Sequence, residues 1–202
     1  MIQKTNEGIK SDYEGRLQRL PNAKGKAITR FREVLLRHGL LVFTLALVCL
    51  FFSKMRASLE WSLERFFNHP IPYALAALGL MSFFVVWTLA SKQRLDIRQI
   101  IWIFYLLGVS VCEEWVFRLA VPGFTIDFIG RMPSVVLCNV VFAAIHYFTL
   151  RWKIRWCVLT FFGAMGLSRL MVNGDLMLVI GVHWFATFLN TPVPVGSNTF
   201  RK

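Results

Sequence analysis

Residues 71–90 read IPYALAALGLMSFFVVWTLA and contain no charged side chain. An α-helix of about 20 apolar residues is long enough to cross the hydrocarbon core of a bilayer. The whole chain has the same character, because 56% of its 202 residues are hydrophobic and 17% are charged, whereas soluble domains average about 25% charged residues. The stretch therefore predicts a membrane helix, and the composition excludes an ordinary water-soluble globular protein.

Five further apolar stretches are long enough, or nearly long enough, to form membrane helices. They cover residues 34–53, 97–120, 133–150, 156–172 and 176–189. A spanning helix needs roughly 17–25 residues, so the last stretch is short for a full crossing. The pattern predicts an all-α polytopic membrane protein with about six transmembrane helices, whose membrane-embedded domain covers residues 34–190.

Polar ends flank this predicted domain. Residues 1–33 form a basic segment without apolar periodicity, and residues 191–202 form a short tail. If the N-terminus is cytoplasmic, the cytoplasmic side carries 17 Lys and Arg residues and the opposite side carries 4. Because cytoplasmic loops are the ones enriched in Lys and Arg, we expect both termini in the cytoplasm. The small size and short loops favour a multi-pass protein of a bacterial inner membrane.

The basic residues outnumber the acidic ones by 23 to 11, a balance that also occurs in nucleic-acid-binding proteins. Such proteins cluster their Lys and Arg residues on one folded face. Here the basic residues lie between apolar stretches, so we expect the lipid bilayer as a partner and no nucleic acid. The sequence does not define an oligomeric state.

Charged residues interrupt the stretch 97–120, where residues 112–118 read CEEWVFR. An ionisable group inside a membrane span costs about 2.5–3.5 kcal/mol on insertion scales and is by default a functional candidate. Glu114 and Arg118 are four residues apart and share a helical face, so they can neutralise each other. Glu113 points about 100° away and needs a proton, a water molecule or a group on another helix.

Two other stretches each contain a histidine on a polar helical face. Residues 142–146 read FAAIH, and Asn139 lies seven residues before His146 on the same face. In the last stretch, His183, Thr187 and Asn190 recur at helical spacing and form one stripe. Each of these helices therefore presents polar groups within an apolar background.

Glu113, His146 and His183 come from three separate predicted helices, and none has a partner on its own helix. This pattern predicts that the three side chains meet in one site. The other two histidines, His38 and His69, lie at the edges of predicted spans, and we expect both of them at the membrane interface.

A carboxylate beside an imidazole can hold a water molecule, remove its proton during attack on a peptide carbonyl and return that proton to the leaving amine. A second imidazole with a neighbouring hydroxyl or amide can stabilise the oxyanion. Two alternatives stay open. One carboxylate and two histidines could also hold a metal ion, although the HExxH motif is absent, and Glu/His relays also occur in proton-coupled transporters.

Three motifs together resemble those of the CAAX protease and bacteriocin-processing family, also called CPBP or Abi, of glutamic-type intramembrane proteases. EExxxR is present as residues 113–118 and FxxxH as residues 142–146. The third family motif, a His followed four residues later by Asn, begins at His183. The resemblance covers a motif core of about residues 100–190, and the order and spacing of the three motifs make it specific.

The resemblance implies a role for each matched residue. Glu113 would be the general base and His146 would help to activate water, while Glu114 and Arg118 would support the site. His183 would contribute to the oxyanion hole.

The chain departs from the family pattern at the third motif, because position 187 is Thr instead of Asn. The Thr187 hydroxyl can still donate one hydrogen bond, and the nearest amide is Asn190. We expect Thr187 to act as a catalytic residue, with Asn139 and Asn190 in supporting positions.

The resemblance implies an intramembrane endopeptidase without a metal or other cofactor. Its expected partner is a membrane-associated protein or peptide substrate, cleaved in a C-terminal tail of the CAAX or bacteriocin type. The alternatives are a catalytically inactive scaffold or immunity module that binds a peptide or partner, and a metal-dependent protease.

Overall fold

The computed structural model describes residue 28 and residues 30–194, and this part of the chain is helical. The predictions for the basic segment 1–33 and the tail 191–202 therefore fall almost entirely outside the described residues. We number the helices α1 to α7 in chain order. Their bounds are Phe31–Cys49, Ser53–Asn68, Pro70–Ala90, Ile97–Ile129, Arg131–Leu150, Ile154–Leu170 and Leu176–Asn190.

Four helical segments are long and apolar enough to cross a membrane. They are Pro70–Ala90, Ile97–Ile129, Arg131–Leu150 and Ile154–Asn173. Helices α1 and α2 pass the same test only as a pair, bent by 100° at the break between them, and they bring the number to five if they form one broken span. The prediction of an all-α polytopic membrane protein is confirmed. The count of six is not, because α7 has only 15 residues.

Helix α2 occupies a segment that the hydropathy pattern assigns to a polar loop. Met55, Leu59 and Leu63 recur every four residues and pack against the buried core, while Glu60 lies exposed on the other side. This helix is amphipathic, with an apolar stripe that adds little to the mean hydropathy of the segment. A search for continuous apolar residues therefore misses it.

Helix α4 is longer than its predicted span of residues 97–120 and continues to Ile129. A π-helical turn, Trp115–Ala120, separates its two α-helical parts. Pro122 lies in the first α-helical turn after this π turn, a position where proline is tolerated. The Pro-Gly pair at 122–123 therefore does not end the helix.

Helices α4 and α7 run antiparallel in the centre of the bundle. Near the start of α4, Trp102 Nε1 donates a 2.7 Å hydrogen bond to the Thr191 carbonyl, just beyond the end of α7. Seven residues before Thr191, Trp184 Nε1 donates to the Ile103 carbonyl at 3.0 Å. This alignment places the Glu113–Glu114 pair of α4 beside the first half of α7.

Candidate active site

Glu113 lies in the middle of a buried cluster of ionisable side chains contributed by four helices. Its Oε1 atom is 3.1 Å from Nε2 of His38 and 3.6 Å from Nε2 of His146, and its Oε2 atom is 3.7 Å from Nε2 of His183. Glu113 is 1% exposed, and each of the three histidines is at most 8% exposed. The structure thus brings together the three groups that the sequence places in one site, and it adds a third imidazole.

Glu114 forms a second layer behind this cluster. Its Oε1 atom is 2.6 Å from Nδ1 of His183, and its Oε2 atom is 3.0 Å from Nε of Arg118. The Arg118 guanidinium also lies over the Phe142 ring, 4.7 Å from the ring centroid. The pair predicted from the four-residue spacing is therefore formed, and it fixes His183 through a charged hydrogen bond.

The outer nitrogens of His38 and His146 are bound to fixed acceptors. His146 Nδ1 donates to the Phe142 carbonyl at 2.8 Å. His38 Nδ1 lies 2.9 Å from the Thr149 hydroxyl oxygen, and that hydroxyl donates its own proton to the Ile145 carbonyl at 2.7 Å. Because the hydroxyl proton is already used, His38 Nδ1 must be the donor to Thr149. Both imidazoles therefore present Nε2 to Glu113.

The expectation that His38 lies at the membrane interface is wrong. His38 is 3% exposed, and its ring centroid is 5.0 Å from that of His146. It follows Arg37 near the start of the first apolar stretch, a setting typical of an interfacial residue. His38 lies in a π-helical turn, Leu35–Gly39, and such turns are frequent at functional sites. His69, in contrast, is exposed before α3.

Gly39, the residue after His38, is the sequence signal that could have indicated the burial of His38, because a small residue allows another helix to approach closely. A Cβ atom at Gly39 would lie 3.0 Å from Cε2 of Tyr105 and 3.2 Å from Cδ1 of Leu35. Gly39 thus allows the turn that carries His38 to pack against α4.

A Val side chain at position 39 would overlap with Tyr105 and shift the backbone of this turn. We therefore expect Gly39→Val to displace His38 from Glu113 and to lower activity at least about tenfold. The measurement is the rate of the proteolysis that the family resemblance implies, with equal amounts of inserted protein. Gly79→Val is the control, since no atom lies within 4 Å of a Cβ atom built at Gly79. Equal cleavage by both variants would contradict the assigned packing role of Gly39.

A cavity of about 450 Å³ opens beside the cluster. Glu113 and the three histidines line it, together with aromatic and aliphatic side chains. Its volume and its mostly apolar walls with a few convergent polar groups are typical of a ligand-binding pocket. The cavity can therefore hold an extended peptide segment or an apolar group next to the Glu113 carboxylate.

The other polar residues singled out by the sequence divide into two groups. Thr187 and Asn190 both line the cavity, and the Asn190 side chain donates to the Ala186 carbonyl of its own helix at 2.9 Å. Asn139 does not line the cavity; its Nδ2 atom donates to the Ser168 hydroxyl at 2.9 Å and ties α5 to α6.

Among the described residues, the hydrogen-bond partners of the Asn139 amide are Met165 and Ser168 on α6, so its expected supporting role at the site stays a prediction. Seven residues return a helix to nearly the same face, but they also move about 10 Å along its axis at 1.5 Å per residue. Asn139 therefore shares the face of His146 but starts about 10 Å away from it along the helix axis.

These features define a multi-pass membrane protein with a buried Glu/His centre beside an apolar cavity. Residues 95–189 match the model of the family described as "Type II CAAX prenyl endopeptidase Rce1-like". The match covers 95 of the 202 residues and confirms the resemblance to CAAX proteases that the three motifs carry. The match supports a protease, and hence a hydrolase. No curated protein and no solved structure matches the chain.

Proposed function

We propose that the chain is a glutamic-type intramembrane endopeptidase, in which Glu113 and His146 activate a water molecule for attack on a peptide bond. The observation that carries this proposal is the distance of 3.6 Å between Glu113 Oε1 and His146 Nε2, in two side chains that both line the cavity. A water molecule between these two acceptors can donate one hydrogen bond to each. This arrangement orients the lone pairs of the water oxygen towards the cavity.

In the proposed reaction, the water oxygen attacks the scissile carbonyl carbon while its proton passes to the Glu113 carboxylate. The carbonyl oxygen becomes an oxyanion in a tetrahedral intermediate. The carbon–nitrogen bond then breaks, and the protonated Glu113 returns the proton to the leaving amine. The products are a carboxylic acid and an amine, and Glu113 is again a carboxylate.

His183 is the proposed donor to the oxyanion. The buried cluster holds two carboxylates, Glu113 and Glu114, and one guanidinium, Arg118, so one protonated imidazole balances its charge. His183 contacts both carboxylates and is the histidine best placed for that proton. Its Nδ1–H then remains on Glu114, and its Nε2–H is the proposed hydrogen-bond donor to the oxyanion. Thr187, four residues later on the same face, supplies a second donor.

The proposed substrate is a membrane-associated protein or peptide that is cut in its C-terminal tail. The family whose model matches residues 95–189 is described as a CAAX prenyl endopeptidase family. The cavity is also lined by aromatic side chains that suit an apolar substrate chain, among them Trp102, Trp152 and Trp156. We further propose that the protein resides in the cell membrane with both termini in the cytoplasm, as the Lys and Arg distribution indicates.

The roles of the two motif histidines are tested by His146→Ala and His183→Ala. Each should lower the cleavage rate at least about 100-fold, since each removes a group that orients water or stabilises the transition state. Cleavage of a tail-peptide panel by purified protein measures the effect, and His69→Ala is the matched control. A wild-type rate in either site variant would remove that histidine from the mechanism.

Thr187→Ala should lower the rate by about tenfold, because an oxyanion donor contributes a few kcal/mol to the barrier and a second donor remains on His183. The Thr187→Ser variant keeps the hydroxyl and should retain most of the activity. If Thr187→Ala is fully active while Asn190→Ala is impaired, the second donor is the Asn190 amide instead.

A further inference from the structure

We propose that His38, Glu113 and His146 form a binding site for a zinc-class divalent cation. The three ligand atoms, two imidazole nitrogens and one carboxylate oxygen, all lie within 4.8 Å of one another. Tetrahedral zinc with bonds of about 2.0–2.1 Å holds its ligand atoms about 3.3 Å apart. The 3.1 Å and 3.6 Å distances from Glu113 Oε1 to the two Nε2 atoms lie on either side of this value.

The orientation of the two imidazoles is the one that metal ligands require. A ligating histidine donates its other N–H to a carbonyl, carboxylate or similar acceptor, and this bond fixes the tautomer and the ring. His146 Nδ1 is bound to the Phe142 carbonyl, and His38 Nδ1 is bound to the Thr149 hydroxyl. Both Nε2 lone pairs are therefore directed at the same carboxylate oxygen.

Three acceptors that converge in a buried space attract a cation. Glu113 Oε1 is inaccessible to solvent and has no hydrogen bond of good geometry among the described residues. An unsatisfied buried acceptor is unfavourable, and a cation placed between the three ligand atoms satisfies all of them. Two imidazoles and a carboxylate suit Zn²⁺ and its neighbours better than Mg²⁺ or Ca²⁺, which prefer oxygen ligands.

This site goes beyond the proposed proteolytic function and does not depend on it. His38 lies outside residues 95–189, the segment that matches the family, so the third ligand comes from the part of the chain without family motifs. A cation on Glu113 Oε1 would take the atom that the proposed mechanism uses to accept the water proton. We therefore expect the cation-bound form to be inactive and the cation-free form to be active.

The first test measures binding without reference to activity. The full chain is purified in detergent, stripped with a chelator and titrated with Co²⁺, whose visible absorption reports tetrahedral coordination. We expect one equivalent of Co²⁺ to bind and Zn²⁺ to displace it. His38→Ala should weaken binding by more than about tenfold, a loss typical even of an outer-shell partner, whereas His69→Ala should bind like the wild type.

Thr149→Val serves as a second variant in case His38→Ala does not fold. Thr149 does not touch Glu113, and removing its hydroxyl frees the His38 ring, so we expect cation affinity to fall about 10-fold to 100-fold. Absence of the tetrahedral cobalt spectrum in the wild type would overturn the site. So would binding that is equal in the wild type, His38→Ala and Thr149→Val.

The activity measurement separates this proposal from the proposed function. Inhibition by stoichiometric Zn²⁺, relieved in His38→Ala relative to its own cation-free rate, supports both. Cleavage that requires the cation supports the site but overturns Glu113 as a free general base. Cleavage by a protein that binds no cobalt overturns the cation site and leaves the proteolytic function standing.

Discussion

Glu113→Gln should abolish peptide cleavage, with a loss of at least about 100-fold, because general-base catalysis typically contributes 10²–10⁴-fold. Gln has nearly the same shape as Glu, but its amide cannot accept the water proton. The side chain is 1% exposed and contacts three imidazoles, so a carboxylate from the solution cannot enter and take over its role. The rate is measured with purified protein and a panel of quenched-fluorescent peptides, including prenylated CAAX tails and unmodified apolar tails.

Glu60→Gln is the matched control for this prediction, since Glu60 is an exposed glutamate on α2. It should cleave the panel like the wild type. Thermal unfolding in detergent should show that Glu113→Gln is folded, because the substitution keeps the volume of the side chain. Retained cleavage by folded Glu113→Gln would remove the general-base role of this residue.

Arg118→Leu should destabilise the folded protein by about 3–5 kcal/mol, the usual cost of removing one partner from a buried ion pair. The Arg118 and Glu114 side chains are both fully buried and their charged atoms are 3.0 Å apart. Without the guanidinium, the Glu114 carboxylate keeps the His183 imidazole as its ionisable partner in the described part of the chain. Denaturant unfolding in detergent or in lipid measures the loss.

Two further variants separate this ion pair from general effects of the substitution. Arg98→Leu changes an exposed arginine on the same helix and should have little effect on stability. The double variant Glu114→Gln, Arg118→Leu removes both charges and should be more stable than Arg118→Leu alone. If the single variant is as stable as the wild type, the pair does not support the bundle as described.

The sequence predicts the composition of the site well where the chemistry depends on a single helix. The four-residue spacing of Glu114 and Arg118 fixes their contact on any α-helix. The same helical geometry shows that Glu113 has no oppositely charged partner on its own helix. Once three spans carry unpaired groups, the high cost of burying each alone favours bringing them together, and the structure shows Glu113, His146 and His183 in contact.

The sequence fails where the outcome depends on the packing of different helices. The burial of His38 requires the π-helical turn Leu35–Gly39 and the close approach of Tyr105 at Gly39, and no spacing rule specifies either of them. Asn139 shows the same limit, because a shared helical face does not specify the distance along the helix axis, and its amide bonds to Ser168 on the neighbouring helix. Helix α2 escapes a search for continuous apolar residues because an amphipathic helix has a low mean hydropathy.

The measurement that tests the central claim most directly compares the termini of membrane proteins in the native host. One strain carries the wild-type chain and the other carries Glu113→Gln at equal abundance. The account predicts that at least one membrane protein or peptide has a new C-terminus only in the wild-type strain and accumulates uncut with Glu113→Gln. Identical sets of termini, together with a phenotype that appears only when the chain is deleted, would contradict a protease and support a binding scaffold.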